Sequence, residues 1–299
     1  MGPKVLVGIP SRNEKGAPAK LAEALLSRQA GNDLRLVILD ESDDPESIHA
    51  LEYLRERNLP QVKVIARRVR SGKVAGLNSI ANEFLAGNYD LLVHFDADLK
   101  IDTECLNNLI EYMVQGHDVA SAVSISLPGR NMFERALGVL MRPAEDARSR
   151  GLFNQPSVGH SGAYTRDGVR VVFPLPENGQ NEELIALSRA KLAGLRTGLA
   201  RTAVVRYRLP DNLDDYLEAH RRVETRARHA INSGSVSDQT LRNRSVPLDG
   251  SDVVKSILKD PVASVLTPFL VVARAAGRLT PESPSSPFWR PIRSTKELT

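Results

Sequence analysis

The chain has a single cysteine, Cys105, among its 299 residues, and a lone thiol excludes an internal disulfide framework and fits a reducing compartment. Long apolar runs are also missing. No stretch reaches the roughly eighteen uninterrupted apolar residues that a membrane-spanning helix needs, and no apolar signal region precedes the strand-like run beginning at Lys4. The expectation is a cytoplasmic protein that does not span a membrane. Charge of one sign is scarce as well: 40 basic residues face 36 acidic ones, and the net +4 permits nucleotide phosphates or an anionic membrane surface as partners without indicating nucleic acid. Two phosphate-binding fingerprints are absent. The loop after the first strand has no G-x-G-x-x-G, and Ser71-Gly72-Lys73 lacks the Walker spacing. No internal repeat is visible.

What is present begins with Leu91-Leu92-Val93-His94-Phe95-Asp96-Ala97-Asp98, an apolar run delivering two acids to the carboxyl edge of a sheet, where α/β proteins hold ligands. If the strand continues, Asp96 and Asp98 point the same way, and neighbouring carboxylates repel unless a cation lies between them. Hard oxygen ligands suit Mg²⁺ or Mn²⁺, and such an ion can hold a diphosphate. Taken alone, the same acids also read as solvated turn residues.

Around this run, short apolar segments alternate with helical spacing. Lys4 to Ile9, stopped by Pro10, precedes a helix from Ala19 to Gln29; Leu34 to Leu39 precedes a helix opened by Pro45 and capped by Asp44; Gln61 to Ala66 precedes a helix starting near Gly72. Four alternations in under 100 residues predict a parallel sheet with right-handed crossovers. Gly72 and Lys73 sit at a helix mouth where N–H groups and an ammonium meet phosphate, while Arg67 and Arg68 read as a surface charge run. Asp118 to Ser124 predicts another strand, Arg130 to Arg150 a helix, and Ser157 to Gly162 a permissive glycine loop around His160. Glu182 and Glu183 fall in the first turn of a helix entered through Glu177-Asn178-Gly179-Gln180-Asn181, and taken alone they compensate its dipole. Val204 to Arg208 closes the sheet, and Asn212 caps a long helix whose His220, Arg221, Arg222, Arg226 and Arg228 read as a solvated basic face.

In this order the segments resemble the family 2 glycosyltransferases of GT-A fold, over about Lys4 to His220. The resemblance implies a Rossmann-like α/β fold with a mostly parallel sheet: a catalytic domain at 1–210, made of a nucleotide-binding half (1–100) and an acceptor half (101–210), followed by a helical extension at 211–299. It implies that Pro10, Arg12, Asn13 and Glu14 contact the nucleotide and that Asp40 contacts the nucleobase. Gly72, Lys73 and Asn78 match a Gly-Lys-x-x-x-x-Asn segment beside the diphosphate, and Asp96-Ala97-Asp98 matches the Asp-x-Asp that holds Mg²⁺ or Mn²⁺ on the sugar nucleotide, with Asp98 the metal ligand and Asp96 assisting. Gly159, His160, Ser161 and Gly162 resemble the turn near sugar and acceptor, and Glu182-Glu183 matches the Glu-Asp pair whose second acid is the base. Glu183 stands where aspartate is usual, so the two glutamates stay unseparated. Arg206, Tyr207 and Arg208 replace a histidine near the metal, and His220-Arg221-Arg222-Val223 lacks the tryptophan of processive relatives.

The implied activity is inverting transfer of one sugar from a nucleotide-diphosphate sugar, UDP-sugar by default, to a hydroxyl acceptor, whether glycan, lipid-linked or small molecule. Lys73 or Arg208 would help neutralise the departing diphosphate. A nucleotidyltransferase of related fold and a non-catalytic sugar-nucleotide or membrane-binding protein are the alternatives; the first should show an Arg-containing glycine loop after strand one, which Pro10 to Glu14 does not supply. Residues 253–278 contain thirteen uncharged positions from Pro261 to Ala273, framed by Lys255, Lys259, Arg274 and Arg278. They read either as an interfacial helix on the inner face of a membrane or as helices packed on the core. The segment Ser235 to Gly250 reads as a loop, and the tail from Pro281 to Pro291 is rich in Pro and Ser, with the only tryptophan at Trp289.

Overall fold

The computed structural model describes residues 2–27, 33–177, 181–236 and 250–277. Gln29, Asn178 to Gln180, most of the Ser235 to Gly250 segment, Arg278 and the tail with Trp289 lie outside the described residues.

Eight strands form one sheet in the order β3-β2-β1-β4-β7-β6-β8-β5. The first half supplies β1 (Lys4–Ser11), β2 (Asp33–Asp40), β3 (Val62–Ala66) and β4 (Leu91–Phe95), all parallel. They are linked by α1 (Ala17–Leu26), α2 (Pro45–Glu56) and α3 (Lys73–Ala86). The second half supplies β5 (Lys100–Ile101), α4 (Cys105–Val114), β6 (Val119–Ser126), α5 (Met132–Ser149), β7 (Ser161–Thr165), α6 (Arg166–Val172), α7 (Glu182–Leu192) and β8 (Thr197–Tyr207). The helices α8 (Leu213–Asn232), α9 (Gly250–Lys259), α10 (Pro261–Ser264) and α11 (Thr267–Gly277) follow. Val5, Leu6, Val7 and Ile9 on β1 are fully buried because helices cover both faces of this central strand, which is why it reads as a continuous apolar run.

Three expectations are corrected. Proline does not stop β1 at Ile9: the strand continues to Ser11, with Pro10 opposite Leu39. Pairing with β4 covers only Val5 to Gly8, so Pro10 lies beyond the span where β4 asks for a donor. The sheet is mostly parallel, as expected, with four of its seven strand pairings parallel; the exceptions are β7, antiparallel to both β4 and β6, and the short β5, antiparallel to β8. Ser161 and Gly162 belong to β7, with Gly162 opposite His94. A Cβ on Gly162 would lie 2.6 Å from both His94 Cε1 and Tyr164 Oη, so that glycine answers to core packing. Finally, β4 ends at Phe95, and Asp96 and Asp98 stand in the turn beyond it, where strand alternation does not apply.

The C-terminal helices are anchored on α5. Asp252 pairs with Arg150 at 2.6 Å, Asp260 takes a bidentate pair from Arg135 at 2.8 Å, and Ser256 Oγ donates to the Val139 carbonyl at 2.7 Å. Ala263 and Leu270 are fully buried among Ala136, Leu137, Val139 and Leu209. Their outer face is apolar, with Leu258, Val265, Phe269 and Val272 between 55% and 77% exposed. No single described helix is long and apolar enough to cross a membrane; α9 joined to Pro261–Ala275 passes that test by length and composition, but the pair is bent by 117°.

Candidate active site

The carboxyl ends of β1, β2 and β4, the mouth of α3 and the first turn of α7 converge on a cavity of about 760 Å³, closed on its far side by α5, α8 and α11. Its position follows from the fold, because the strand ends and helix starts of an α/β sheet share one edge. Each part is set by local chemistry. Asn181 Oδ1 accepts from Leu184 N at 3.0 Å and caps α7, which places Glu182 and Glu183 side by side in the first turn. Gly72 begins α3 at φ 91°, a conformation a side chain would strain.

At the centre is Lys73. Its ammonium lies 2.7 Å from Asp96 Oδ1 and 3.6 Å from Glu182 Oε1, and it donates to the Gly159 carbonyl at 2.6 Å. Burial would depress this lysine, but Asp96, Glu182 and Asp98 outweigh burial and hold its pKa above the ordinary value. Asp96 is shifted upward by burial, against the pull of Lys73 and with the repulsion of Asp98. Its backbone N–H donates to the His160 carbonyl at 2.9 Å, tying the acid turn to the glycine turn. Glu182 also reaches Arg226 on α8, 3.6 Å away, so its two oxygens bridge two cations. Glu183 is placed differently. It stands over Gly159, where a Cβ would approach its Oε2 to 3.2 Å.

His160 Nδ1 lies 3.1 Å from Ser124 Oγ, and its ring meets that of Tyr207 at 4.8 Å. Tyr207 donates to the buried Glu145 at 3.0 Å; burial raises Glu145, and burial and that carboxylate together hold Tyr207 well above the usual phenol range. His94 is a core residue: its Nε2 faces the Val158 carbonyl at 3.0 Å, and burial, with Lys73 nearby, pushes its pKa down to about 3.

Of the residues singled out from sequence, Pro10, Arg12, Glu14, Gly72, Lys73, Asp96, Asp98, Gly159, His160, Glu182 and Glu183 line the cavity, and Asn13, Asp40, Asn78, Ser161 and Gly162 do not. Asp40 is turned onto Ser42, whose Oγ donates to it at 2.7 Å. Asn78 is spent on Leu175, donating to its carbonyl at 2.8 Å and accepting from its N–H at 2.7 Å. Asn13 bonds Asp43 at 2.6 Å, beside the 2.9 Å pair of Arg12 with Asp43.

Other residues reach the cavity without a motif. Glu41 accepts from the backbone N–H of Ser71 at 3.0 Å and of Gly72 at 2.8 Å, as well as from Ser71 Oγ, so part of the anion-binding potential of the α3 mouth is taken by the protein. Arg67 does not line the cavity but is more than surface charge, since it bonds Ser71 Oγ at 3.0 Å and also Ser79. Arg222 and Arg226 do not lie on a solvated face of α8. Both turn into the cavity, and burial draws both below the ordinary arginine value, Arg222 to about 10. Their four-residue spacing is the one signal the sequence carried. At the carboxyl end of β1, Ser11 Oγ and Arg12 Nε and Nη1 are buried without a protein partner on the cavity wall.

Comparison with known proteins follows the same line. The mannosyltransferase PcManGT from Pyrobaculum calidifontis, solved in complex with GDP-Man and Mn²⁺, superposes with a TM-score of 0.59 at 16% identity, covering 95% of this chain and 78% of that one. S. aureus TarS 1-349 in complex with UDP-GlcNAc gives 0.53 at 14%, covering 92% and 88%. A mycobacterial protein gives 0.51 at 18%, covering 79% and 76%. A search of curated proteins gives no match. The fold is therefore GT-A, a curled mixed sheet with flanking helices and a C-terminal helical addition. The chain belongs to glycosyl transferase family 2, whose model matches residues 6–167.

Proposed function

We propose that the protein transfers one hexosyl unit, with inversion, from a nucleotide-diphosphate sugar to an acceptor hydroxyl. The observation that carries this reading is the division of labour between adjacent glutamates. Glu182 is held between Lys73 and Arg226, while Glu183 overhangs Gly159. The acceptor oxygen attacks the anomeric carbon, the bond to the diphosphate oxygen breaks with its electron pair leaving on the nucleoside diphosphate, and the acceptor proton passes to Glu183. Lys73 places positive charge beside the leaving group. Arg208 is directed to the Pro128 carbonyl at 3.1 Å and lies 4.0 Å from Glu134, so that role falls to the lysine.

The donor set fits a divalent cation. Asp96, Asp98, Glu182 and Glu183 outnumber Lys73 and Arg226 on this part of the wall, and a diphosphate adds further negative charge. Among the described residues no three His, Cys, Asp or Glu are grouped to hold a metal, and Asp98 with Asp96 are the side chains that would hold Mg²⁺ or Mn²⁺. Once bound, such an ion neutralises charge on the departing diphosphate. The outer face of α9–α11, with Lys255 and Lys259 about 60% exposed beside Leu258 and Val265, suits peripheral contact with the inner face of an anionic membrane.

UDP-sugar is the default donor. The two neighbours that carry GDP-Man and UDP-GlcNAc make both the first donors to test. Incubation of labelled donors with Mn²⁺ should give transfer or slow release of nucleoside diphosphate. Tight binding with no release would favour a binding protein, and exchange at phosphate would favour nucleotidyl transfer.

A further inference from the structure

The cavity has a second wall, across Glu182 from the donor side. Glu182 Oε1 faces Lys73 at 3.6 Å and Oε2 faces Arg226 at 3.6 Å, so the glutamate stands between the lysine of the donor side and the first arginine of the second wall. Beyond it, Tyr216, Ala219, His220, Arg222, Val223 and Arg226 form the α8 stripe, recurring at three- and four-residue steps. Leu137, Leu140 and Met141 of α5, Leu209, and Val271 of α11 complete an apolar lining. Arg274 stands at the rim, its Nε 2.8 Å from His220 Nε2. Arg208, 9% exposed and also on the wall, has a buried Nε without a partner. Val223 and Val271 are 56% and 53% exposed, so this end opens beside the apolar outer face of α11.

Arg222 and Arg226 share this wall with the leucines and Met141, and burial draws both below the ordinary arginine value although Glu218 and Asp215 act on the first and Glu182 on the second. An arriving anion would recover that loss through charge-assisted hydrogen bonds, while an aliphatic segment would cover the leucines. We propose that the acceptor is an amphiphile with a phosphate-type anionic group, held by Arg222 and Arg226, with Arg274 at the entrance and its apolar part along α5 and α11. The assignment rests on the glycosyl-transfer reading, because the anionic group is taken to position the hydroxyl that Glu183 deprotonates.

Calorimetry of the full chain with n-octyl phosphate below its micellar concentration tests it, with inorganic phosphate and neutral n-octyl glucoside as comparators, each with and without saturating UDP. Octyl phosphate should bind more tightly than either comparator and should still bind in the presence of UDP. Arg222→Gln and Arg226→Gln should each weaken it about tenfold or more. Melting curves check that the variants fold, and Arg222→Lys retains charge should either glutamine variant fail. Equal affinity for octyl glucoside would remove the anionic half of the proposal, equal affinity for inorganic phosphate the apolar half, and competition by UDP would return the arginines to the donor. UDP or GDP release from nucleotide sugars is measured on the same wild-type protein. Release without octyl phosphate binding overturns this proposal alone, whereas selective binding without release overturns the transfer reading and leaves the anion site standing.

Discussion

Replacing Lys73 with methionine keeps an unbranched side chain only one atom shorter and removes the charge around which the acids are arranged. The ammonium holds Asp96 at 2.7 Å and the Gly159 carbonyl at 2.6 Å, with Glu182 at 3.6 Å. Breaking a fully buried pair costs roughly 3–5 kcal/mol. Here the two side chains are 18% and 19% exposed, so water reaches the pair and the expected loss is smaller, about 2 kcal/mol. For a chain of this size each kcal/mol moves the melting temperature by about 2–4 °C, so calorimetry should show a fall of about 4–8 °C. The same change leaves Asp96, Asp98 and Glu182 without their shared lysine, and a divalent cation can then take its place electrostatically. Saturating Mn²⁺ should therefore raise the melting temperature of Lys73→Met by more than that of the wild type. A fall below about 1 °C, or an equal Mn²⁺ response in both proteins, would refute the view that Lys73 is the cation balancing this site.

Three further outcomes are expected. Glu183→Gln should lower turnover by about 10²- to 10⁴-fold while nucleotide binding survives, whereas Glu182→Gln should act chiefly on stability; a larger kinetic loss in Glu182→Gln would reverse the two roles. Asp98→Asn should abolish Mn²⁺-dependent binding of UDP with little change in melting temperature, because the residue stands in a turn beyond β4, and full activity in excess chelator would contradict the metal assignment. Leu258→Glu combined with Val265→Glu should abolish co-sedimentation with anionic vesicles at low salt while leaving the buried Ala263 and Leu270 anchor intact, and wild-type protein that stays in the supernatant would remove the membrane contact.

The sequence by itself determined the elements and their order, because strand interiors such as Leu91 to Phe95 and helix starts such as Asp44, Asn181 and Asn212 are encoded by neighbours a few residues apart. It also determined the family, since the motifs that carry the resemblance lie on strand ends and helix mouths that a GT-A fold must bring to one edge. The direction of β7 is not local information, for a five-residue strand reads the same either way and only its pairing with β4 and β6 fixes it. Nor did the sequence separate Glu182 from Glu183. Adjacent residues on a helix leave its axis about 100° apart, so one meets Lys73 and Arg226 while the other meets the glycine turn. Tertiary structure likewise decided that Asn78 serves Leu175, that Glu41 occupies the α3 mouth, and that Arg222 and Arg226 face inward. A basic helix looks solvated until the strand ends and α11 close a cavity over it, and burial, unlike helicity, depends on partners far away in the chain.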